Sequence, residues 1–118
     1  MANHNLIVSA ALVAALNSTA VQAELTGTGL KEVCDLNELA CISYVRGFID
    51  GVGTRGLMLM GVDDFQMPWC ATRRVTVQRM TLVVKKYLRD HPKSLNKPGS
   101  TLTYIALVDA LPCEGGVK

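Results

Sequence analysis

The side chains with the widest chemical repertoire in this 118-residue sequence are four cysteines, Cys34, Cys41, Cys70 and Cys113. A cysteine can act as a nucleophile, bind zinc or form a disulfide, and its sequence context distinguishes these uses. Zinc sites show Cys-x-x-Cys spacing or several histidines, whereas this sequence has no such spacing and, after residue 4, only His91. The even cysteine count therefore predicts two disulfides and no metal site.

Other combinations that could support catalysis have simpler structural interpretations. His91 with a free cysteine could form a thiol hydrolase, the weakest of the functions considered, but an oxidised cysteine is no nucleophile. The adjacent Asp63 and Asp64 are typical of a solvated turn, because paired catalytic carboxylates converge from separate positions. Residues 51–56 (GVGTRG) have Gly-x-Gly-x-x-Gly spacing, but a helical pattern precedes them where a nucleotide site needs a strand. We therefore predict a protein that is not an enzyme and has no cofactor.

The first residues have the pattern of a secretory signal peptide, predicted at residues 1–23. Residues 6–16 form an apolar run of eleven, which is shorter than the about 20 residues that span a bilayer. Val21 and Ala23 are small residues at the positions that a signal peptidase reads. We expect cleavage after Ala23, a periplasmic location, no stable membrane anchor and a mature domain at residues 24–118. The alternative is an uncleaved anchor or a buried helix.

The charge of the chain argues against two classes of partner. Twelve Lys and Arg oppose ten Asp and Glu, giving a formal net charge of +2, and aromatic residues make up only 5%. Nucleic acids and anionic membranes usually require a strong basic excess, and single-stranded nucleic acids also require aromatic stacking surfaces. We therefore expect no nucleic-acid partner.

The hydrophobic periodicity is helical along the whole mature chain. A short helix is predicted within residues 26–33, and a long one from a capping box at residues 35–38 (DLNE), with an apolar face that includes Leu39. Glycines are expected to loosen this helix over residues 51–61. Gly47 and Gly51 predict either a frayed end or, in the favoured interpretation, close packing of a second helix.

Two further helices complete the predicted fold. One begins with Thr76 as N-cap and ends at His91-Pro92, and the last is capped by Ser100 and ends at Pro112. The fold class is therefore all-α, a small antiparallel domain of about four helices stapled by two disulfides. Antiparallel packing brings the start of the third helix near the end of the fourth. This arrangement predicts Cys34–Cys41 and Cys70–Cys113 among the three possible pairings.

Several blocks of the mature chain together resemble the Rap/Tai family of immunity proteins from type VI secretion systems. The first block has Cys-x-x-Tyr-x-x-Gly-x-x-Asp spacing, and a later helix led by Thr ends in Tyr-Leu-x-x-His-Pro before a terminal Pro-Cys. The residues at these motif positions are Cys41, Tyr44, Gly47, Asp50, Cys70, Thr76, Tyr87, His91, Pro92 and Cys113.

The resemblance implies an exported, helical protein that carries intramolecular disulfides and forms dimers. It also implies that the protein binds and neutralises a cell-wall amidase delivered by another cell. It implies that most motif residues maintain the scaffold. Tyr44 and Tyr87 could bury a ring while offering the hydroxyl to a partner, and Asp50 and His91 are candidates for buried polar contacts. The alternative function is a small helical periplasmic chaperone or stress protein without a dedicated toxin target.

The predicted partner-binding segment is residues 55–69, which combine apolar, aromatic and acidic side chains. An inhibitor needs a pre-organised element that enters the cleft of its target, and this loop region is the best candidate. An equally weighted alternative assigns its methionines to the core or to a dimer contact. The candidate residues are Arg55, Met58, Met60, Asp63, Asp64, Phe65 and Trp69.

Overall fold

The computed structural model describes residues 24–72 and 74–113, and this part of the chain is helical. Its helices are α1 (Gly27–Leu36), α2 (Glu38–Met60), α3 (Val77–Asp90) and α4 (Gly99–Ala110), and a 3-10 helix at Pro92–Ser94 precedes α4. The only extended pairing among these residues is an isolated bridge between Thr26 and Pro98. The all-α, four-helix prediction is therefore confirmed, whereas the predicted signal peptide at residues 1–23 lies outside the described residues.

The core forms where α1 contacts all three other helices. Five large side chains from the four helices are almost fully enclosed there: Leu30, Val45, Leu88, Leu102 and Leu107. The backbone before α1 is also joined to the segment before α4, because the N–H of Gly27 donates to Lys97 O (2.8 Å) and that of Gly99 to Leu25 O (2.7 Å). The body of the domain therefore holds α1, α3, α4 and the first turns of α2.

Helix α3 begins and ends where the sequence predicts. The Thr76 hydroxyl accepts a hydrogen bond from the N–H of Arg79 at 3.1 Å, which satisfies one of the free donors of the first turn. His91 is the C-cap, and Pro92 follows it in the 3-10 helix. The buried stripe of α3 contains Met80, Val84 and Leu88.

Two predicted helix starts are each wrong by two residues. Helix α1 continues through Asp35, and Asn37 caps α2 instead, with its side-chain oxygen accepting from the N–H of Ala40 at 3.0 Å. Helix α4 begins at Gly99 after Pro98, so Ser100 is not its cap. The Ser100 hydroxyl donates instead to the Glu24 carboxylate at 2.8 Å. The cap of α2 is the residue whose backbone is extended, which the residue type alone does not determine.

The distal half of α2 differs most from the prediction. The helix does not loosen over residues 51–61 but continues to Met60, and Gly61, with φ of +83°, ends it in a conformation that favours glycine. A Cβ added to Gly47 or Gly51 would meet nothing within 4 Å. The prediction that another helix packs closely against these two glycines is therefore wrong.

Both predicted disulfides are confirmed. Cys34 and Cys41 join the end of α1 to the first turn of α2, with Cα atoms 4.6 Å apart, and both side chains are buried. Cys70 and Cys113 join the segment before α3 to the segment after α4, with Cα atoms 4.9 Å apart. None of the described helices combines the length and hydropathy of a membrane-spanning segment.

Candidate protein-binding surface

The distal end of α2 and the loop after it expose a group of apolar side chains, which we call the distal surface (residues 55–65). Met58 is 81% exposed, Leu59 71% and Val62 82%, and Leu57 and Met60 are also exposed. Successive residues of a helix lie about 100° apart around its axis. Four consecutive exposed apolar residues therefore mean that neighbouring helices leave the whole circumference open at this end of α2.

The loop after α2 folds back along the helix through two side chains. A Cβ at Gly56 would overlap the ring of half-buried Phe65, and a Cβ at Gly53 would lie 3.9 Å from the sulfur of Met67. The N–H of Phe65 also donates to Gly61 O at 3.2 Å. The glycines of α2 therefore admit the returning loop, and this contact gives the distal surface a defined shape.

Charged groups border these apolar side chains. Arg55, Asp63 and Asp64 are exposed, and none of them belongs to either ion pair found in the described part of the chain, Lys31–Asp35 and Lys86–Asp90. The distal surface therefore offers an exposed cation and two carboxylates to a partner. An apolar centre with a charged border is the usual composition of a protein-binding surface.

Trp69 does not belong to this surface, although the sequence places it in the candidate segment. Its side chain is only 3% exposed. The indole stacks with Phe48, with ring centroids 6.2 Å apart, and meets the edge of Tyr104 at 6.4 Å. The neighbouring Cys70 is bonded to Cys113, which holds Trp69 against the body. Trp69 therefore acts as a core residue.

Helix α2 carries four of the motif residues, of which Cys41 is buried in its disulfide and Tyr44 is partly buried. Gly47 and Asp50 are exposed, so the expectation of buried polar contacts at Asp50 is wrong. Tyr44 is half-buried, and burial raises its pKa above the ordinary tyrosine value. A hydrogen bond with Thr103 opposes this increase in pKa, and the negative charge of Glu24 adds to it. Tyr44 is therefore a scaffold residue that links α2 to α4.

The motif residues at the end of α3 form a ring stack. The centroids of Tyr87 and His91 are 3.9 Å apart, with ring planes 18° from parallel. His91 is exposed, so the expectation of a buried polar contact is wrong for it too. Its Nδ1 lies 2.8 Å from Tyr87 O and donates to it in the tautomer that is protonated there. The stack therefore fixes the C-cap residue against the last turn of α3.

Sequence reasoning missed some exposed apolar residues of α2 and of the loop after it. Leu57, Leu59 and Val62 were not candidates, although the unbroken run from Leu57 to Met60 was a signal that one face could not bury all four side chains. Leu39 was expected on the core face but is 72% exposed. Leu39 lies two residues before the buried Cys41, about 200° away around the helix axis, so it faces away from the body. No group of three or more His, Cys, Asp or Glu that could hold a metal occurs in residues 24–72 and 74–113.

A family model described as Rap1a immunity proteins matches residues 26–113. The chain belongs to this family. The matched residues run from the N-cap of α1 to the last cysteine, so the Rap1a match includes all four helices and both disulfides. Membership of the Rap1a family indicates an immunity function against a secreted effector and a non-enzymatic role as an inhibitor. No curated protein and no solved structure matches the chain.

Proposed function

We propose that this protein is a periplasmic immunity protein that binds and neutralises a peptidoglycan amidase delivered by a type VI secretion system. Membership of the Rap1a family supports the immunity role. The observation that carries the proposal is the distal surface, in which Leu57, Met58, Leu59 and Met60 are consecutive, helical and exposed. Contiguous exposed apolar residues of this kind mark interaction sites in folded proteins.

The distal surface has the physical properties that an inhibitor of a cleft needs. Its side chains are presented by the end of a 23-residue helix whose first turns are anchored by Cys41 and Val45. A pre-formed helix loses little conformational entropy on binding, so more of the contact free energy appears as affinity. Methionine side chains also adapt to the shape of an apolar cleft. The proposed mechanism is therefore occlusion of the amidase cleft by this helix end.

The two disulfides support the periplasmic part of the proposal. Disulfides persist in oxidising compartments such as the periplasm, and thiol reductants remove them from most cytosolic proteins. The predicted signal peptide at residues 1–23 would provide the export route. Export would place the inhibitor in the compartment that contains the cell wall, which is the substrate of the proposed target.

The inhibitor role can be tested with the cysteine–histidine amidase whose gene lies beside this one, if such a gene is present. The mature chain should bind the purified amidase in calorimetry and stop it from hydrolysing isolated peptidoglycan. Met58→Glu should weaken binding at least about tenfold, because it places a charge in the apolar centre. Leu82→Glu is the matched control, since Leu82 is 61% exposed on α3. If Met58→Glu still inhibits the amidase fully, the distal surface is not the inhibitory contact.

Aggregation and binding assays distinguish an inhibitor from a chaperone. A chaperone would suppress aggregation of unrelated denatured proteins and would show no saturable binding to the amidase. A dedicated inhibitor would bind the amidase at a fixed ratio and leave unrelated clients unprotected. Client protection without amidase binding would replace the proposed function with the alternative.

We also propose that the protein forms a homodimer. The exposed apolar side chains of α2 supply surface for a second copy as well as for an effector. Light scattering after size-exclusion chromatography should give twice the mass of the mature chain. If Met58→Glu produces a monomer that still inhibits the amidase, the distal surface belongs to the dimer contact. If it leaves a dimer that no longer inhibits, the surface belongs to the effector.

A further inference from the structure

A recess lies between α3 and α4, and we call it the α3–α4 groove. Its volume is about 330 Å³, at the lower end of the range of ligand pockets. Ala106 and Ala110 from α4 line it with Val83 from α3. Two alanines four residues apart on one helix face leave space between the helices, and this space gives the groove an apolar lining.

One side of the groove is aromatic. The stacked rings of Tyr87 and His91 both line it. An aromatic ring attracts a cation through the negative potential of its face, and a planar guanidinium can also stack on it. The ring stack, whose motif residues have no part in the proposed inhibitor function, thus provides a surface suited to a flat organic cation.

The charges of the groove favour the same ligand. Asp90, Asp109 and Lys86 line it, and the ammonium of Lys86 lies 2.6 Å from the carboxylate of Asp90. Asp109 takes part in neither of the ion pairs of the described residues. With His91 neutral, the groove therefore has a net negative charge, and the carboxylate of Asp109 is available to a cation that enters from outside.

We propose that the α3–α4 groove binds an arginine side chain presented by a partner protein. The aliphatic stem of arginine would pack on Ala110 and Val83, and the guanidinium would reach Tyr87 and Asp109. Arginine fits better than lysine because its planar head can stack on a ring and bind a carboxylate through two donors together. The groove is open and small, so a tethered side chain suits it better than a free small molecule.

The proposal can be tested by NMR titration of the mature, disulfide-bonded protein with two blocked tripeptides. One is acetyl-Gly-Arg-Gly-amide, and the other replaces arginine by citrulline, which keeps the shape and removes the charge. The arginine peptide should shift the methyl signals of Ala106 and Ala110 in a saturable way. The citrulline peptide should bind about threefold to fivefold more weakly, the factor expected for one exposed ion pair with a cation–π contact.

Two variants locate the contact. Asp109→Asn should weaken arginine binding by a similar factor, whereas Glu32→Gln, on the exposed side of α1, should leave it unchanged. Ala110→Leu should block the groove and abolish the shifts without changing the helical circular-dichroism spectrum. This variant keeps the test valid even if Asp109→Asn shifts the Lys86–Asp90 pair.

Three results would overturn the proposal. The first is an equal response to the arginine and citrulline peptides, which would indicate an apolar occupant. The second is an unchanged response of the methyl signals to the arginine peptide in both Asp109→Asn and Ala110→Leu. The third is a dependence of the Ala106 and Ala110 signals on protein concentration without peptide, which would assign the groove to a second copy of the chain. The test uses no amidase, so its failure leaves the proposed inhibitor function standing.

Discussion

The ring of Phe65 occupies the space that a side chain at Gly56 would need. The glycine lies near the end of α2 and the phenylalanine in the loop after it. Their contact is possible because Gly56 has no Cβ, and it folds the loop against the helix. The shape of the distal surface therefore depends on a residue that would otherwise weaken the helix.

Gly56→Ala should not show the gain in stability that alanine normally brings to a helix. Alanine is favoured over glycine by about 1 kcal/mol in a helix interior, but the added Cβ would displace Phe65. Gly51→Ala is the matched control, because nothing lies within 4 Å of its Cβ position. In urea unfolding, Gly51→Ala should be more stable than the parent protein by about 0.5–1 kcal/mol. An equal gain from Gly56→Ala would show that the loop does not rely on the close contact.

Phe65→Ala and Asp63→Lys should both weaken binding of the amidase. The first removes the ring that shapes the distal surface, and the second reverses one of its exposed charges. We expect a loss of about 1–3 kcal/mol for a central aromatic residue, and a slower association rate for the charge reversal. Calorimetry and stopped-flow kinetics would measure these effects, with Glu32→Lys on α1 as the control. Unchanged affinity and rates in both variants would show that the amidase binds another part of the molecule.

Thr76→Ala should destabilise the protein by about 1 kcal/mol, the usual value of a helix N-cap. The variant removes the acceptor for the N–H of Arg79 and leaves the core of α3 intact. Thr54→Ala is the control, because Thr54 is exposed within α2 and alanine has the higher helix propensity there. Unfolding midpoints in urea would measure both changes. The capping role would be wrong if both variants had the same midpoint.

The Cys70–Cys113 disulfide should be reduced before Cys34–Cys41. Cys70 is exposed and Cys113 partly so, whereas Cys34 and Cys41 are both buried, and thiol–disulfide exchange requires access to a sulfur. Limited treatment with a small thiol, followed by alkylation and peptide mass analysis, should label Cys70 and Cys113 first. Earlier labelling of Cys34 would contradict the burial of the first disulfide.

Loss of the Cys70–Cys113 disulfide should destabilise the protein more than loss of Cys34–Cys41, because it closes the longer loop of the chain. In the loop-entropy account, closing the 43-residue separation contributes about 4 kcal/mol and the 7-residue separation about 2 kcal/mol, both upper estimates. Paired replacement of each disulfide by alanines, followed by urea unfolding, measures the two contributions. A larger loss of unfolding free energy on replacing Cys34–Cys41 would show that packing of the buried sulfurs outweighs chain entropy.

Tyr44→Phe should protect the protein from alkaline destabilisation. Burial holds the pKa of Tyr44 above the ordinary value, so the native state keeps its phenol protonated when the unfolded chain has begun to lose the proton. This stabilising contribution is complete below the unfolded pKa of about 10 and decreases as the pH rises towards the native pKa. Urea midpoints at pH 8 and pH 10.5 should therefore differ less in Tyr44→Phe than in Tyr104→Phe. An equal pH dependence would contradict the prediction.

The elements that the sequence predicted best are those specified by local chemistry. Thr76 and the His91-Pro92 pair determine the ends of α3 because capping and the missing N–H of proline act within one turn. The disulfide pairing followed from antiparallel helices whose ends must meet. The start of α2 was harder, since Asp35 and Asn37 are both suitable caps and only the backbone conformation selects Asn37.

The candidate surface could be predicted only in part, because burial depends on tertiary contacts. Met58 and Asp63 are exposed as a binding surface requires, but Trp69 is buried against Phe48 and Tyr104. Its burial depends on the backbone of Cys70, whose N–H donates to Leu111 O at 2.9 Å, a contact between distant parts of the sequence. The glycines of α2 misled the prediction for a similar reason, since they admit the loop and do not break the helix.

The two disulfides also determine what a single cut by a protease would do. A cut in the segment between α3 and α4 would leave both fragments attached, because Cys70 and Cys113 lie on opposite sides of it. A cut between Cys41 and Cys70 would leave two pieces without a covalent link, since no disulfide crosses that stretch. The stretch includes the whole distal surface, so the part of the chain offered to a partner is also where the molecule is easiest to divide.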